Sequence, residues 1–156
     1  MTASRVYVLG IDPGPTRCGW AFASREGGRF IYRGGGLVAS TVAALDALLA
    51  AHPSGLVGLE VVEGYAFAQA RSSALVATSA VAGILEGLAK GRQLVKLSAA
   101  SWRRIVLGLR SPTDAQIKEV VGRLVDGLPT RTNAHVRDAL GVAIAASWTT
   151  RLRRAA

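Results

Sequence analysis

The chain has 156 residues, half of them hydrophobic, with 19 Lys and Arg against 10 Asp and Glu and a formal net charge of +9. That length suits a single domain over residues 1–156 with a core of its own, and the composition excludes a disordered chain. Cys18 is the lone cysteine, which excludes a disulfide framework, and no apolar run is long enough to span a bilayer. A reducing cytoplasm and no membrane partner are therefore expected.

In chain order, Val6 to Asp12 is a continuous apolar run that ends in a carboxylate, followed by the Pro13-Gly14 turn. It reads as a strand buried on both faces. Asp12 either caps the turn or stands at the rim of the core as a metal ligand or base. Gly19–Ser24 and Arg29–Arg33 read as two further strands of an antiparallel meander, joined by a turn at Arg25–Gly28. Gly34-Gly35-Gly36 breaks or bends the third, and Leu37–Ala39 either resumes it or begins a loop. Ser40 or Thr41 caps a helix from Val42 to about Ala51, which His52 closes at its C-terminus. Leu56–Val62 is a second buried strand and carries Glu60. Glu63-Gly64 then opens a loop containing Tyr65, Phe67 and Arg71.

Ser72–Ala89 is a long helix rich in Ala and Val, built for core packing or for a subunit interface. Gln93–Leu97 is a short strand. Ser98 or Ser101 caps a basic helix over Trp102–Leu107, and Ser111-Pro112-Thr113-Asp114 starts another that runs to about Leu128. A polar connector leads to a final helix from Asn133 or Ala134 to about Leu152. Strands, then alternating helix and strand, then helices describe a mixed α/β domain with one central sheet.

Charges inside such an apolar frame need compensation, because burying an unpaired carboxylate is costly. Asp12 ends the first strand, Glu60 sits in the fourth, and the two meet if those strands pair. His135 and Asp138 are three residues apart and share a face at the start of the last helix. Asp, Glu, Asp and one His make a hard, oxygen-rich set that suits Mg²⁺ or Mn²⁺ better than zinc. Two such ions can drive phosphodiester hydrolysis. The sixteen Arg among the basic residues, with Arg103 and Arg104 adjacent and Arg151, Arg153 and Arg154 clustered, point to a nucleic-acid partner.

Gly10-Ile11-Asp12-Pro13-Gly14 resembles the opening motif of the RuvC-type Holliday junction resolvases. Leu59-Glu60 resembles the family's second acid, Trp102 to Lys118 its basic DNA-facing segment, and His135 to Ala145 its C-terminal helix. The resemblance covers nearly the whole chain. It implies a ribonuclease H-like fold, with a central mixed five-stranded sheet of three antiparallel strands followed by parallel ones, flanked by helices. It also implies a homodimer that cuts four-way DNA by paired nicks with two Mg²⁺ or Mn²⁺ ions per site.

Carried onto this chain, Asp12, Glu60 and Asp138 would bind metal, and His135 would ligate one ion or assist proton transfer. Arg103, Arg104, Lys118 and Arg71 would contact DNA. Tyr65 and Phe67 either stack on unpaired bases or pack their own loop. The helix at about 72–89 would form the dimer interface, and branch-migration machinery is a possible further partner. Glu63, in a Glu63-Gly64-Tyr65 motif like that of phage relatives, is the alternative second acid. It lies an odd spacing from Glu60, on the opposite side of a straight strand. The segment from Asp12 to Glu60 is shorter than in typical bacterial members. Counting from Gly108, Asp114 stands where many members carry Lys. A non-catalytic junction-binding protein, a ribonuclease H-like RNA-processing nuclease and a sugar-kinase-like phosphotransferase, suggested by Gly10 to Thr16, are the competing functions. The chain is short for the last, which needs two such domains.

Overall fold

The computed structural model describes residues 5–63 and 73–155. Tyr65, Phe67, Arg71 and the expected helix start at Ser72 lie outside the described residues. Three strands form the antiparallel meander: β1 (Val6–Asp12), β2 (Arg17–Glu26) and β3 (Arg29–Ala39). β4 (Leu56–Val61) pairs parallel with β1, and β5 (Gln93–Ser98) pairs parallel with β4. A two-residue strand, β6 (Val125–Asp126), pairs parallel with β3. The sheet order is β5-β4-β1-β2-β3-β6. This is the mixed ribonuclease H-like sheet that the sequence leads one to expect, with six strands rather than five.

The sixth strand exists because the helix expected to reach Leu128 stops at Leu124. Val125 is buried and pairs with Phe30, and the Arg29 guanidinium grips the Asp126 carboxylate through both of its oxygens. Two residues carry no periodicity, so nothing in the sequence marks them as a strand. The triple glycine does not interrupt β3. Gly34 and Gly36 lie under the Trp20 indole, which a Cβ at either position would approach to 3.5 Å.

Five helices flank the sheet among the described residues: α1 (Val42–Ala51), α2 (Ser73–Leu88), α3 (Ala99–Leu107), α4 (Asp114–Leu124) and α5 (Ala134–Ala155). None is long and apolar enough to cross a membrane. Thr41 caps α1, whose C-terminal residue His52 turns its ring nitrogen to the Leu48 carbonyl. Ser98 caps α3, which ends on left-handed Gly108. Thr113, within the expected Ser111–Asp114 start, caps α4, with Gln116 completing a capping box.

The sheet separates two cores. Leu9, Ile11, Val57 and Leu59 point toward α1 and α2, meeting Leu45, Leu49, Val81 and Leu85. Alternation then turns Gly10, Asp12, Gly58 and Glu60 toward α5 on the other face. There α5 buries Val136, Ala139, Leu140 and the run Val142–Ala146, with α3 and α4 closing the flank through Trp102, Val106, Ile117 and Val121. The strand glycines let α5 lie directly on the sheet. A Cβ at Gly10 would fall 1.9 Å from the Ala139 carbonyl oxygen, and one at Gly58 2.9 Å from that of Val142. This close contact decides where the first turn of α5 comes to rest.

Candidate active site

Asp12 is the last residue of β1, and Glu60 follows Leu59, the register partner of Ile11, on β4. The two carboxylates therefore sit side by side on adjacent parallel strands, facing α5. Their side chains are within hydrogen-bonding reach, an arrangement that requires one shared proton. Burial and the neighbouring Asp12 push the Glu60 carboxyl up to about 8. Burial also raises Asp12, while the hydrogen bond from Glu60 opposes that rise.

The first turn of α5 supplies the other two expected residues. Asp138 is raised to about 6 by burial and by the charge of Glu60, against the pull of Arg103 and His135. Nδ1–H of His135 donates to Asp12 Oδ2 at 3.0 Å, with the proton assigned to Nδ1 because a carboxylate can only accept. The His135 side chain is otherwise largely exposed. All four sequence-derived candidates thus come together at one end of β1 and β4, from positions as far apart as 12 and 138.

Trp102 and Arg103 lie beside these acids; the sequence marked Arg103 as a DNA contact but did not place either residue against the carboxylates. Trp102 is fully buried, and its indole Nε1–H donates to Glu60 Oε1 at 2.6 Å, fixing that carboxyl from the α3 side. Arg103, the next residue, places its guanidinium 5.5 Å from the centre of the Trp102 ring, and its charge partly offsets the raised pKa of all three acids. Its Nε is buried without a hydrogen-bond partner. The sequence signal was the Trp102/Val106 spacing, which buries one face of α3 and so aims the adjacent Arg103 at its edge.

Glu63 takes a separate position beyond the end of β4. It accepts a hydrogen bond from the Ser98 hydroxyl at 2.6 Å, and that hydroxyl also caps α3. A cleft of about 390 Å³ runs between Glu60, Glu63, Ser98, Arg103 and Arg110. Arg104 and Lys118 are exposed on α3 and α4.

Among the described residues, no three His, Cys, Asp or Glu side chains close around one point as a ready-made metal cage. The donor chemistry nevertheless fits a hard divalent cation. The carboxylates are partly desolvated and raise one another's pKa, and the single Arg103 does not cancel them. A cation bound by these oxygens relieves that repulsion.

A family model described as crossover junction endodeoxyribonuclease RuvC matches residues 8–146. The chain belongs to the RuvC family. It is thereby an endodeoxyribonuclease, and the residues matched run from β1 into the second half of α5. No curated protein sequence matches it. Among solved structures, Thermus thermophilus RuvC in complex with a Holliday junction substrate is similar, at a TM-score of 0.79 and 18% identity over 95% of this chain and 96% of that one. The yeast mitochondrial Holliday junction resolvase Ydc2 is similar at a TM-score of 0.61 and 14% identity, covering 99% of this chain and 83% of that one. The fowlpox virus Holliday junction resolvase gives 0.59 and 10%, covering 95% and 99%. At these identities the structures establish the RuvC fold, and the site must be argued from its own chemistry.

Proposed function

We propose that this RuvC-family endodeoxyribonuclease is a single-domain Holliday junction resolvase that cuts four-way DNA by paired nicks, working as a homodimer with Mg²⁺ or Mn²⁺. The convergence of Asp12, Glu60 and Asp138 on the α5 face of the sheet carries this reading. Those three carboxylates would hold the ions, with His135 as a further ligand or a proton carrier. When bound, the cations activate water and stabilise the leaving oxygen of a phosphodiester. Trp102 holds the Glu60 carboxyl in place through its indole donor. His135 holds the Asp12 carboxylate through its Nδ1–H, and its largely exposed ring would take or give a proton. Arg103 offers positive charge and a free buried N–H beside the acids, where the scissile phosphate would lie. Arg104 and Lys118 extend that positive surface to flanking phosphates.

The outward side of α2 supports the dimer. Val76, Ala80, Gly83 and Gly87 are exposed at helical spacing, and a Cβ at either glycine would meet nothing within 4 Å. Such a stripe allows a second copy of the helix to approach closely, and a twofold would present two identical sites to opposing strands. The test is incubation with a synthetic four-way junction beside duplex, single-stranded and RNA controls, with and without each metal. Paired, metal-dependent nicks near the junction centre are expected. Tight junction binding without cleavage in either metal would make the chain a non-catalytic binding protein, and preferential RNA cleavage would make it an RNA-processing nuclease.

A further inference from the structure

At the opposite end of β1 from the carboxylates, a second cavity opens where the ends of β1, β2 and β4 meet α5. Val6 lines it, and Asp12 lies six strand residues away, about 20 Å along β1. Its volume is about 710 Å³, within the range of small-ligand sites. β2 contributes Arg25 to its wall, and the last turns of α5 contribute Ser147, Thr150 and Arg151.

Three features of this cavity lack compensation. Arg25 and Arg151 face the same space, and neither has an ion-pair partner among the described residues. Burial and the charge of Arg151 both lower the Arg25 guanidinium below its ordinary value, so the two cations oppose each other. Glu26, the acid next to Arg25, is occupied by Arg5 at 2.7 Å and Arg33 at 2.9 Å. Arg25 Nη1 donates only a long bond of 3.4 Å to the Ser147 hydroxyl. Thr150 lines the same wall, and its Oγ1 is buried with no hydrogen-bond partner. Two unneutralised guanidinium groups and two hydroxyls around one concavity form a recognition set for a tetrahedral oxyanion.

We propose that this cavity is a phosphate-binding site, in which Arg25 and Arg151 hold the oxyanion from two sides and the Ser147 and Thr150 hydroxyls donate to it. It is separate from the carboxylate site and does not depend on the cleavage reaction. The phosphate belongs either to a free phosphomonoester such as a nucleotide or to a backbone segment of DNA remote from the one cut.

The experiment is calorimetric titration of the full chain in EDTA with inorganic phosphate, with AMP and with a short DNA duplex, at matched ionic strength. The same titrations are run on Arg25→Gln/Arg151→Gln and on Thr150→Val. Circular dichroism checks that each variant folds; Thr150→Val keeps the side-chain shape should the double variant fail. Saturable binding of a phosphate probe is expected, weakened about tenfold or more in the double variant and a few-fold in Thr150→Val, as lost charged and neutral hydrogen bonds imply. AMP binding that the duplex does not displace assigns the site to free phosphate ligands. Displacement that depends on Arg25 and Arg151 assigns it to DNA backbone. No saturable binding of any probe, or equal affinity in the folded variants, overturns the proposal.

Discussion

Glu60→Gln separates what the carboxylate site contributes to chemistry from what it costs in stability. Glu60 stands beside Asp12, and its pKa is raised from the ordinary 4.5 to about 8. A carboxyl whose pKa is raised on folding favours the protonated protein, so its stabilising effect is fully present below pH 4.5. That effect is lost progressively as the pH rises toward 8. At pH 7 the loss amounts to about 3 kcal/mol, shared through the coupling with Asp12 and Asp138. Glutamine reproduces the protonated acid: its Oε1 can accept from the Trp102 indole, and its amide can donate to Asp12.

The metal-free variant should therefore be more stable than the wild type by about 1–3 kcal/mol at pH 7–8, roughly 3–10 °C in Tm for a chain of this size. The gain should vanish near pH 4. Urea or thermal denaturation in EDTA at pH 4, 6 and 8 measures it. Excess Mg²⁺ should reverse the order, because ligand binding to the folded wild type adds stability that the variant gains less of. Glu63→Gln is the control. Glu63 accepts from Ser98 at the cap of α3, so its substitution should bring no gain at any pH. A Glu60→Gln protein that melts at or below the wild type in EDTA at pH 8 would refute the placement of Glu60 in a repelling acid cluster.

Asp12→Asn should leave junction binding intact while reducing cleavage by ~10³-fold or more, about 4 kcal/mol of transition-state stabilisation; a gel-shift beside a cleavage assay reads both, and wild-type turnover would remove Asp12 from the site. Gly10→Ala should cost roughly 3 kcal/mol or more in urea denaturation, since its Cβ would collide with the backbone of α5 at Ala139; a neutral result would mean that α5 does not rest on β1 as described. Gly83→Arg should leave the fold intact, because its Cβ meets nothing, yet convert a dimer to a monomer by sedimentation; an unchanged dimer would place the interface elsewhere than α2.

The acids of the site were legible in the sequence because each is a charge set in an apolar frame. Asp12 ends a hydrophobic strand, Glu60 interrupts another, and His135 and Asp138 share a helix face ahead of a buried run. Whether Asp12 and Glu60 met depended on which strands paired, and the register of Ile11 with Leu59 brings them side by side. The apolar run ahead of Glu60 favoured it over Glu63 by pattern, but their partners were not legible: one contacts the Trp102 indole, the other the Ser98 hydroxyl.

Trp102 and Arg103 were visible as a basic helix but not as parts of the acid site. Neighbours on a helix turn to different surroundings, and only the packing of α3 against α5 says which. There the Trp102 ring lies so close to Gly141 that a Cβ at that glycine would come within 2.3 Å of it. The same limit explains the basic cavity. Arg25 and Arg151 are separated by most of the chain and join only because α5 lies on the sheet with its two ends over opposite ends of β1 and β2. The first turn of α5 brings His135 and Asp138 to Asp12, and its later turns bring Thr150 and Arg151 to Arg25. One long helix, seated by glycines in the strands beneath it, thus sets the geometry of both the acidic and the basic site. A substitution such as Gly10→Ala that lifts it should disturb both together.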